Sequence, residues 1–204
     1  MLKIALISAI IGHLLCGACD CLLGYSRKGR LDLKNISNAE KMSEMFRDMP
    51  LSFPLASILL GTGAIAMFGA GYIGLSRWMS GFSQPASIIM LISALVYLVP
   101  ITAHHVLFGA VEWMYIRLGR TGKAREAVLD LQKKTIAPMF AGYAGLLAFV
   151  VTLFVMTVSG GTTLPAWACV FNTLVFMILL LPTKLPAKGN IAGALMFLGL
   201  VFLI

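Results

Sequence analysis

Five ionisable side chains lie inside apolar stretches that are long enough to cross a membrane: Asp20, Glu112, His13, His104 and His105. The other six of the eight acidic residues lie in the polar segments between those stretches. A charged group at the middle of a membrane helix costs on the order of 2.5–3.5 kcal/mol, so such residues are candidates for a functional site. Carboxyl and imidazole groups bind cations, relay protons and act as acids or bases. We therefore take these five as the candidate site for ligand binding or proton relay, led by Asp20, His105 and Glu112.

Helical spacing arranges these residues in two polar stripes. His13, Cys16 and Asp20 follow at i, i+3 and i+7, which places them on one face of a helix. His105 and Glu112 follow at i and i+7 on a second helix. Two such stripes are expected to line a polar cavity if the helices pack side by side.

The depth of each group follows from its distance to the basic residue that ends its stretch. At 1.5 Å per residue, Asp20 lies about 10 Å and Glu112 about 8 Å from that boundary. His13 and His105 lie about 21 and 18 Å from it, near the middle of a hydrocarbon core about 30 Å thick. The spacing predicts that Asp20 and Glu112 lie at one depth and that His13 and His105 lie together at a greater depth. Asn172 is expected to join this cluster if packing brings it near.

The elements that must position these groups are six apolar stretches in a chain of 204 residues that is 59% hydrophobic and 12% charged. Each is close to the 17–25 residues that span a bilayer as a helix. We predict an all-α polytopic membrane protein with one domain covering residues 1–204. The six transmembrane helices are expected at about 4–25, 51–77, 86–116, 136–159, 163–182 and 188–204. Ala66, Ala70 and Gly74 form a small-residue stripe on the second, which predicts close helix packing there.

The basic residues predict the orientation of these helices. If the gaps are assigned alternately to two sides, Lys3 and Arg77 fall on one side and the other 14 of the 16 Lys and Arg residues on the opposite side. Cytoplasmic loops carry the Lys and Arg excess, so both termini are expected outside and the protein is expected to be multi-pass in a cytoplasmic (inner) membrane. Retention of the first stretch as a helix, without signal-peptide cleavage, fits this pattern. Basic residues in short loops favour anionic inner-leaflet lipids as partners and argue against nucleic acid.

Two short amphipathic helices are predicted on the cytoplasmic side. In the first, Ser37 and Glu40 match a capping box, and Pro50 ends the segment. In the second, an apolar stripe of Ala124, Ala127, Val128 and Leu131 is surrounded by basic residues. The first helix fits either a plain connector or a lid over a cavity, and the second fits an anchor at the inner leaflet.

Three functions remain open for the polar residues. They could line a cavity that faces the cytoplasm and binds or transports a small molecule, a cation or a proton. They could act as acid, base or metal ligands in an enzyme that modifies lipids. They could also only join helices in a purely structural protein. Neither the cysteine spacing in the first helix nor the two deep histidines make a sufficient metal or haem signature, so no cofactor is assigned. Transport by so small a chain, which shows no internal repeat, would need a homo-oligomer.

The chain resembles an uncharacterised family of bacterial six-helix integral membrane proteins, a domain of unknown function. The resemblance lies in five short motifs spread along the chain: Asp20-x-Leu22-Leu23, Met49-Pro50, Tyr72-Ile73-Gly74, His104, and Pro186-x-x-Gly189-Asn190. It implies the fold and membrane residence, and it implies no activity.

Overall fold

The computed structural model describes residues 1–26, 29–30, 36 and 38–204, and these residues are almost entirely helical. The elements, in chain order, are α1 (Leu2–Gly24), β1 (Tyr25–Ser26), β2 (Gly29–Arg30), α2 (Ala39–Phe46), α3 (Ser52–Met79), α4 (Gln84–Arg117), α5 (Gly122–Lys134), α6 (Ala137–Val158), a 3₁₀ turn (Ala166–Val170), α7 (Thr173–Leu180) and α8 (Lys188–Leu203). The two short strands pair antiparallel, with Tyr25 opposite Arg30.

Among the described residues, four helical stretches are long and apolar enough to cross a membrane, judged by length and composition. They are Leu2–Gly24, Ser52–Met79, Gln84–Arg117 and Gly122–Val158, in which α6 is the apolar part. α8 is apolar too, but it has 16 residues. Five of the six predicted apolar helices are therefore present as α1, α3, α4, α6 and α8, with bounds within a few residues of those expected.

The predicted helix at 163–182 is not continuous. It consists of the 3₁₀ turn, two non-helical residues of which Asn172 is extended, and then α7, which has eight residues. The Asn172 side chain explains the break, because it accepts a hydrogen bond from the Leu174 N–H at 3.0 Å and donates to the Val150 carbonyl at 2.8 Å. Asn172 thus starts α7 as its N-cap and does not join the polar cluster.

The long helices pack in the order α8, α1, α3, α4, α6, and each neighbouring pair is antiparallel. Two glycines allow the backbones of neighbouring helices to approach closely. A Cβ built on Gly12 of α1 would lie 2.5 Å from the Phe68 N and 2.6 Å from the Ala64 O, and one built on Gly145 of α6 would lie 2.6 Å from the Tyr97 N. The predicted small-residue stripe on α3 does not form these close contacts, because Ala66 and Ala70 are exposed on the outer face of the helix.

α2 and α5 form a layer across one end of the bundle, which we call the cap layer. Its apolar core is Met42, Phe46, Met49, Val111, Tyr115, Ile116, Ala124 and Val128. The Arg120 guanidinium donates to the Phe46 carbonyl at 2.9 Å and to the Met49 carbonyl at 3.1 Å, and so caps the end of α2. Both predicted amphipathic helices are confirmed as helices.

Two details of the cap-layer helices differ from the sequence prediction: the N-cap of α2 and one residue of the apolar stripe on α5. Asn38 is the N-cap of α2, accepting a hydrogen bond from the Lys41 N–H at 2.9 Å, whereas Ser37 lies outside the described residues. On α5, Ala124 and Val128 are buried as predicted and Ala127 is exposed.

Candidate functional site

A cavity of about 430 Å³ lies between the long helices and the cap layer. The long helices contribute polar and aromatic side chains to its wall, and the cap layer contributes Met42, Met45, Phe46, Leu129 and Gln132. The polar and aromatic lining residues include Cys16, Asp20, Phe68, Tyr72, Tyr97, His104, His105, Phe108, Glu112, Tyr115, Tyr143 and Asn190. Four of the five predicted site residues therefore line one cavity, and His13 lies behind its wall.

Asp20 is the centre of the polar network. Its Oδ2 accepts a hydrogen bond from the Asn190 amide nitrogen at 2.8 Å, and its Oδ1 lies 3.7 Å from the His105 Nδ1. The carboxyl side chain keeps 38% of its surface accessible, whereas the His105 side chain keeps 8%. Because Asp20 lines the cavity, its free edge is available to a bound molecule or ion.

His105 is held in one orientation by backbone on the neighbouring helix. Its Nε2 lies 3.0 Å from the Ser57 carbonyl oxygen, and the Ser57 hydroxyl in turn donates to the Cys19 carbonyl at 3.0 Å. A ring nitrogen that faces a carbonyl oxygen must carry a proton, so in neutral His105 the lone pair is on Nδ1. That lone pair faces Asp20 and Cys16. Gly61 provides the space, because a Cβ at this position would overlap the imidazole.

His13 supports the site from behind the cavity wall. It is 1% exposed and stacks on Phe68 with ring centroids 4.3 Å apart. Its Nδ1 lies 3.0 Å from the Asn190 Oδ1, and its Nε2 lies 3.4 Å from the Tyr72 hydroxyl. Since the Asn190 amide nitrogen donates to Asp20, its oxygen accepts from the His13 Nδ1–H. His13 is thus connected to Asp20 through one side chain.

Glu112 is the second acidic group of the cavity. It is 6% exposed, and its Oε2 has no hydrogen-bond partner among the residues that the structure describes. A buried polar atom without a partner costs about 1–3 kcal/mol, and more when it is charged. His104 also lines the cavity and is half-buried, with its ring 6.0 Å from that of Phe108.

The predicted depths of these groups are wrong for α4. The structure brings Asp20 beside His105, although their predicted depths differ by about 8 Å, or about one and a half helical turns. Glu112 lies further along α4, towards the cap layer. The reason is the length of α4, which has 34 residues and continues past the ends of its neighbours to pack Val111, Tyr115 and Ile116 into the cap layer. Arg117 therefore lies beyond the level at which α1 ends.

Three residues of the network were not assigned to the site from the sequence. Ser57 had no distinguishing signal, and Tyr72 appeared only in the motif Tyr72-Ile73-Gly74; each contacts a histidine at least 48 residues away in the chain. Asn190 appeared only in the motif that leads into the last helix, without a role. Its partners are 170 and 177 residues away, so no local pattern indicates them.

Fold and cavity together define a helical protein with helices of membrane-spanning length and, between them, a cavity lined by apolar, aromatic and a few ionisable side chains. The chain belongs to the family of unknown function DUF6796, which matches residues 1–202. Membership in a family without an established function is what the sequence motifs predicted. Two members of those motifs, Asp20 and Asn190, are hydrogen-bonded to each other. No curated protein and no solved structure matches the chain.

Proposed function

We propose that the protein is a membrane-embedded binding protein whose cavity takes up a small amphipathic molecule with a positively charged group, such as a lipophilic amine. The observation that carries this proposal is the Glu112 Oε2 atom, buried in the cavity wall without a partner among the described residues. A cationic or hydrogen-bond-donating ligand would supply the missing partner. Charge-assisted hydrogen bonds of this kind are worth about 1.5–3 kcal/mol.

The size and lining of the cavity support a small organic ligand. Ligand sites are typically clefts of roughly 300–1,000 Å³ that are mostly apolar and carry a few well-placed polar groups. The volume of about 430 Å³ falls within this range. Tyr97 and Tyr143 contribute aromatic rings to the cavity wall, and aromatic faces attract cations when a site is desolvated. Two basic side chains also line the cavity: Lys188, whose ammonium group donates to the Leu181 carbonyl at 2.8 Å, and Arg30, which is exposed.

We place the protein in the cytoplasmic membrane, with six crossings, both termini outside and the cap layer on the cytoplasmic side. Lys3 and Arg77 lie at the end of the bundle opposite the cap layer, which supports the charge argument. This topology needs the segment 166–180 and α8 to cross as well. Single cysteines at Thr162 and Gln132, in a chain without its native cysteines, test it. An impermeant thiol reagent should label position 162 but not 132 in intact cells, and the reverse pattern would exclude the proposed orientation.

The ligand proposal is tested with Glu112→Gln in protein reconstituted in nanodiscs. The probe is a fluorescent lipophilic quaternary ammonium, compared with its neutral carbon isostere. The wild type should bind the cation more tightly, and Glu112→Gln should weaken cation binding by about 10-fold or more, which corresponds to 1.4 kcal/mol. Glu126→Gln is the matched control, because Glu126 is exposed on α5. It should leave binding unchanged.

The stability of Glu112→Gln separates binding from a purely structural role. If the carboxyl serves a ligand at the expense of the fold, its removal should leave the free energy of unfolding equal or higher. Lower stability with unchanged cation binding would overturn the proposal. Flux of the same cation into proteoliposomes, together with the oligomeric state, tests transport. A stable monomer that binds without flux would restrict the function to binding.

A further inference from the structure

Three side chains of the kinds that bind transition metals meet at the inner end of the cavity. One ligand atom each from Cys16, Asp20 and His105 lies within 4.8 Å of the others. Cys16 and Asp20 are at i and i+4 on α1, which places them on one face, and His105 comes from α4. All three line the cavity.

The distance between Asp20 and His105 suits two ligands of one ion better than a direct hydrogen bond. The Asp20 Oδ1 and the His105 Nδ1 are 3.7 Å apart, beyond hydrogen-bond length. Zinc binds oxygen and nitrogen at about 2.0–2.2 Å in a tetrahedron, which puts two such ligand atoms roughly 3.3–3.5 Å apart. For this pair a shift of a few tenths of an ångström would reach that separation, and the Cys16 Sγ lies within 4.8 Å of the other two ligand atoms.

The surrounding hydrogen bonds are those that metal ligands commonly have. A ligating histidine usually donates its other ring N–H to a carbonyl or carboxylate, and His105 has its Nε2 at 3.0 Å from the Ser57 carbonyl. Ligating carboxylates are usually held by a further hydrogen bond, and the Asp20 Oδ2 accepts one from Asn190. The two atoms left over, Oδ1 of Asp20 and Nδ1 of His105, are the ones that face each other.

We propose that Cys16, Asp20 and His105 bind a single Zn²⁺ ion whose fourth coordination position is open to the cavity. A thiolate, an imidazole and a carboxylate together favour this borderline-soft ion, and three protein ligands with an open fourth position are typical of zinc sites that act on a substrate. The Cys16 thiol loses its proton to solvent on binding. One thiolate, one carboxylate and neutral His105 then balance the charge of the ion, which favours burial of the set.

This site is independent of the cationic ligand proposed above, because Glu112 is not a member of it. Glu112 lies seven residues beyond His105 on α4, about 10 Å along the helix. The ion needs the three side chains, whereas the amine needs Glu112 and the aromatic wall. Either proposal can therefore fail while the other stands.

Cobalt is the probe, because Co²⁺ replaces Zn²⁺ in such sites and shows its ligands by absorption. The purified protein is stripped with a chelator, checked for residual metal, and titrated with Co²⁺ in detergent. We expect one equivalent to bind with visible tetrahedral bands and a near-ultraviolet thiolate-to-cobalt band, and one equivalent of Zn²⁺ to displace it. Metal analysis of the protein before stripping should find zinc. A different metal at one equivalent would correct the identity of the ion and leave the site in place.

Variants assign the ligands. Cys16→Ser should abolish the thiolate band, and His105→Gln should lower Co²⁺ affinity by at least 10-fold. Cys169→Ser, whose cysteine lies on the 3₁₀ turn far from the cluster, should retain both signals. Glu112→Gln should also retain them, even where it loses amine binding. Size-exclusion profiles identify any variant that fails to fold, and His105→Gln then replaces Cys16→Ser as the deciding variant. Binding below 0.2 equivalents, or a thiolate band that persists in Cys16→Ser, would overturn the proposal.

Discussion

Replacement of Asn190 by Leu should destabilise the protein and disturb the site at the same time. Asn190 lies at the start of α8, donates to the Asp20 carboxyl at 2.8 Å and accepts from His13 at 3.0 Å. These bonds tie α8 to α1 on the polar side of their contact. Leucine shares the branch of asparagine at Cγ and has none of its polar atoms, so Asn190→Leu removes the bonds and adds only apolar volume.

The magnitude follows from the two partners. A hydrogen bond to a charged group contributes about 1.5–3 kcal/mol and one between neutral groups about 0.5–1.5 kcal/mol. Together they predict a loss of roughly 2–4.5 kcal/mol in the free energy of unfolding. The value should lie in the upper half of this range if the Asp20 Oδ2 and the His13 Nδ1 gain no new partner, because both atoms lose the Asn190 side chain.

Asn172→Leu is the matched control. Asn172 also makes two hydrogen bonds through its side chain, but both partners are neutral backbone groups, on Val150 and Leu174. The control should lose about 1–3 kcal/mol by the same measure. Unfolding of both variants in mixed micelles, followed by tryptophan fluorescence, gives the two free energies.

Metal binding distinguishes the two asparagines further. Loss of a hydrogen bond that orients a metal ligand typically lowers metal affinity by 10–100-fold. Asn190→Leu should therefore lower the Co²⁺ affinity by that factor, whereas Asn172→Leu should leave it unchanged. An Asn190→Leu protein within 0.5 kcal/mol of the wild type would refute the network described here. An equal loss of unfolding free energy in both variants would show that the loss does not depend on the charged partner of Asn190.

Three further variants test other parts of the structure. Gly61→Ala should displace the His105 ring and lower Co²⁺ affinity, whereas Gly63→Ala, whose Cβ would meet no atom within 4 Å, should leave the affinity unchanged. Arg120→Lys keeps the charge but loses the planar fork that reaches two carbonyls of the cap layer, so amide exchange in α2 should become faster. Ala187 has a φ of 47°, a left-handed conformation that costs a residue with a Cβ about 1–2 kcal/mol, so Ala187→Gly should raise the free energy of unfolding by about 1 kcal/mol. Lower stability of that variant would indicate that the flexibility of glycine outweighs the strain.

The apolar helices and the cap-layer helices were predictable because each depends on a local pattern. Hydropathy over some twenty residues identifies a helix such as α3 whatever it packs against. Amphipathic spacing does the same for α5, where Val128 is buried and Lys133 is not. Hydropathy could not detect the break at Asn172, since one polar residue hardly lowers the mean of an apolar window. The break depends on a carbonyl of α6 that accepts its amide.

The sequence by itself determined which residues were worth testing, because an ionisable group in an apolar helix is costly wherever the helix is placed. It also determined that the chain would be helical and rich in membrane-length segments. The tertiary structure decided which of these groups meet. Asp20 contacts His105 and Asn190, and these contacts join residues up to 170 positions apart. The heights at which these side chains meet depend on how far α4 extends into the cap layer and on glycines that let α1 approach α3 and α6 approach α4. These are properties of packed helix pairs, so they cannot be derived from the sequence of one helix alone.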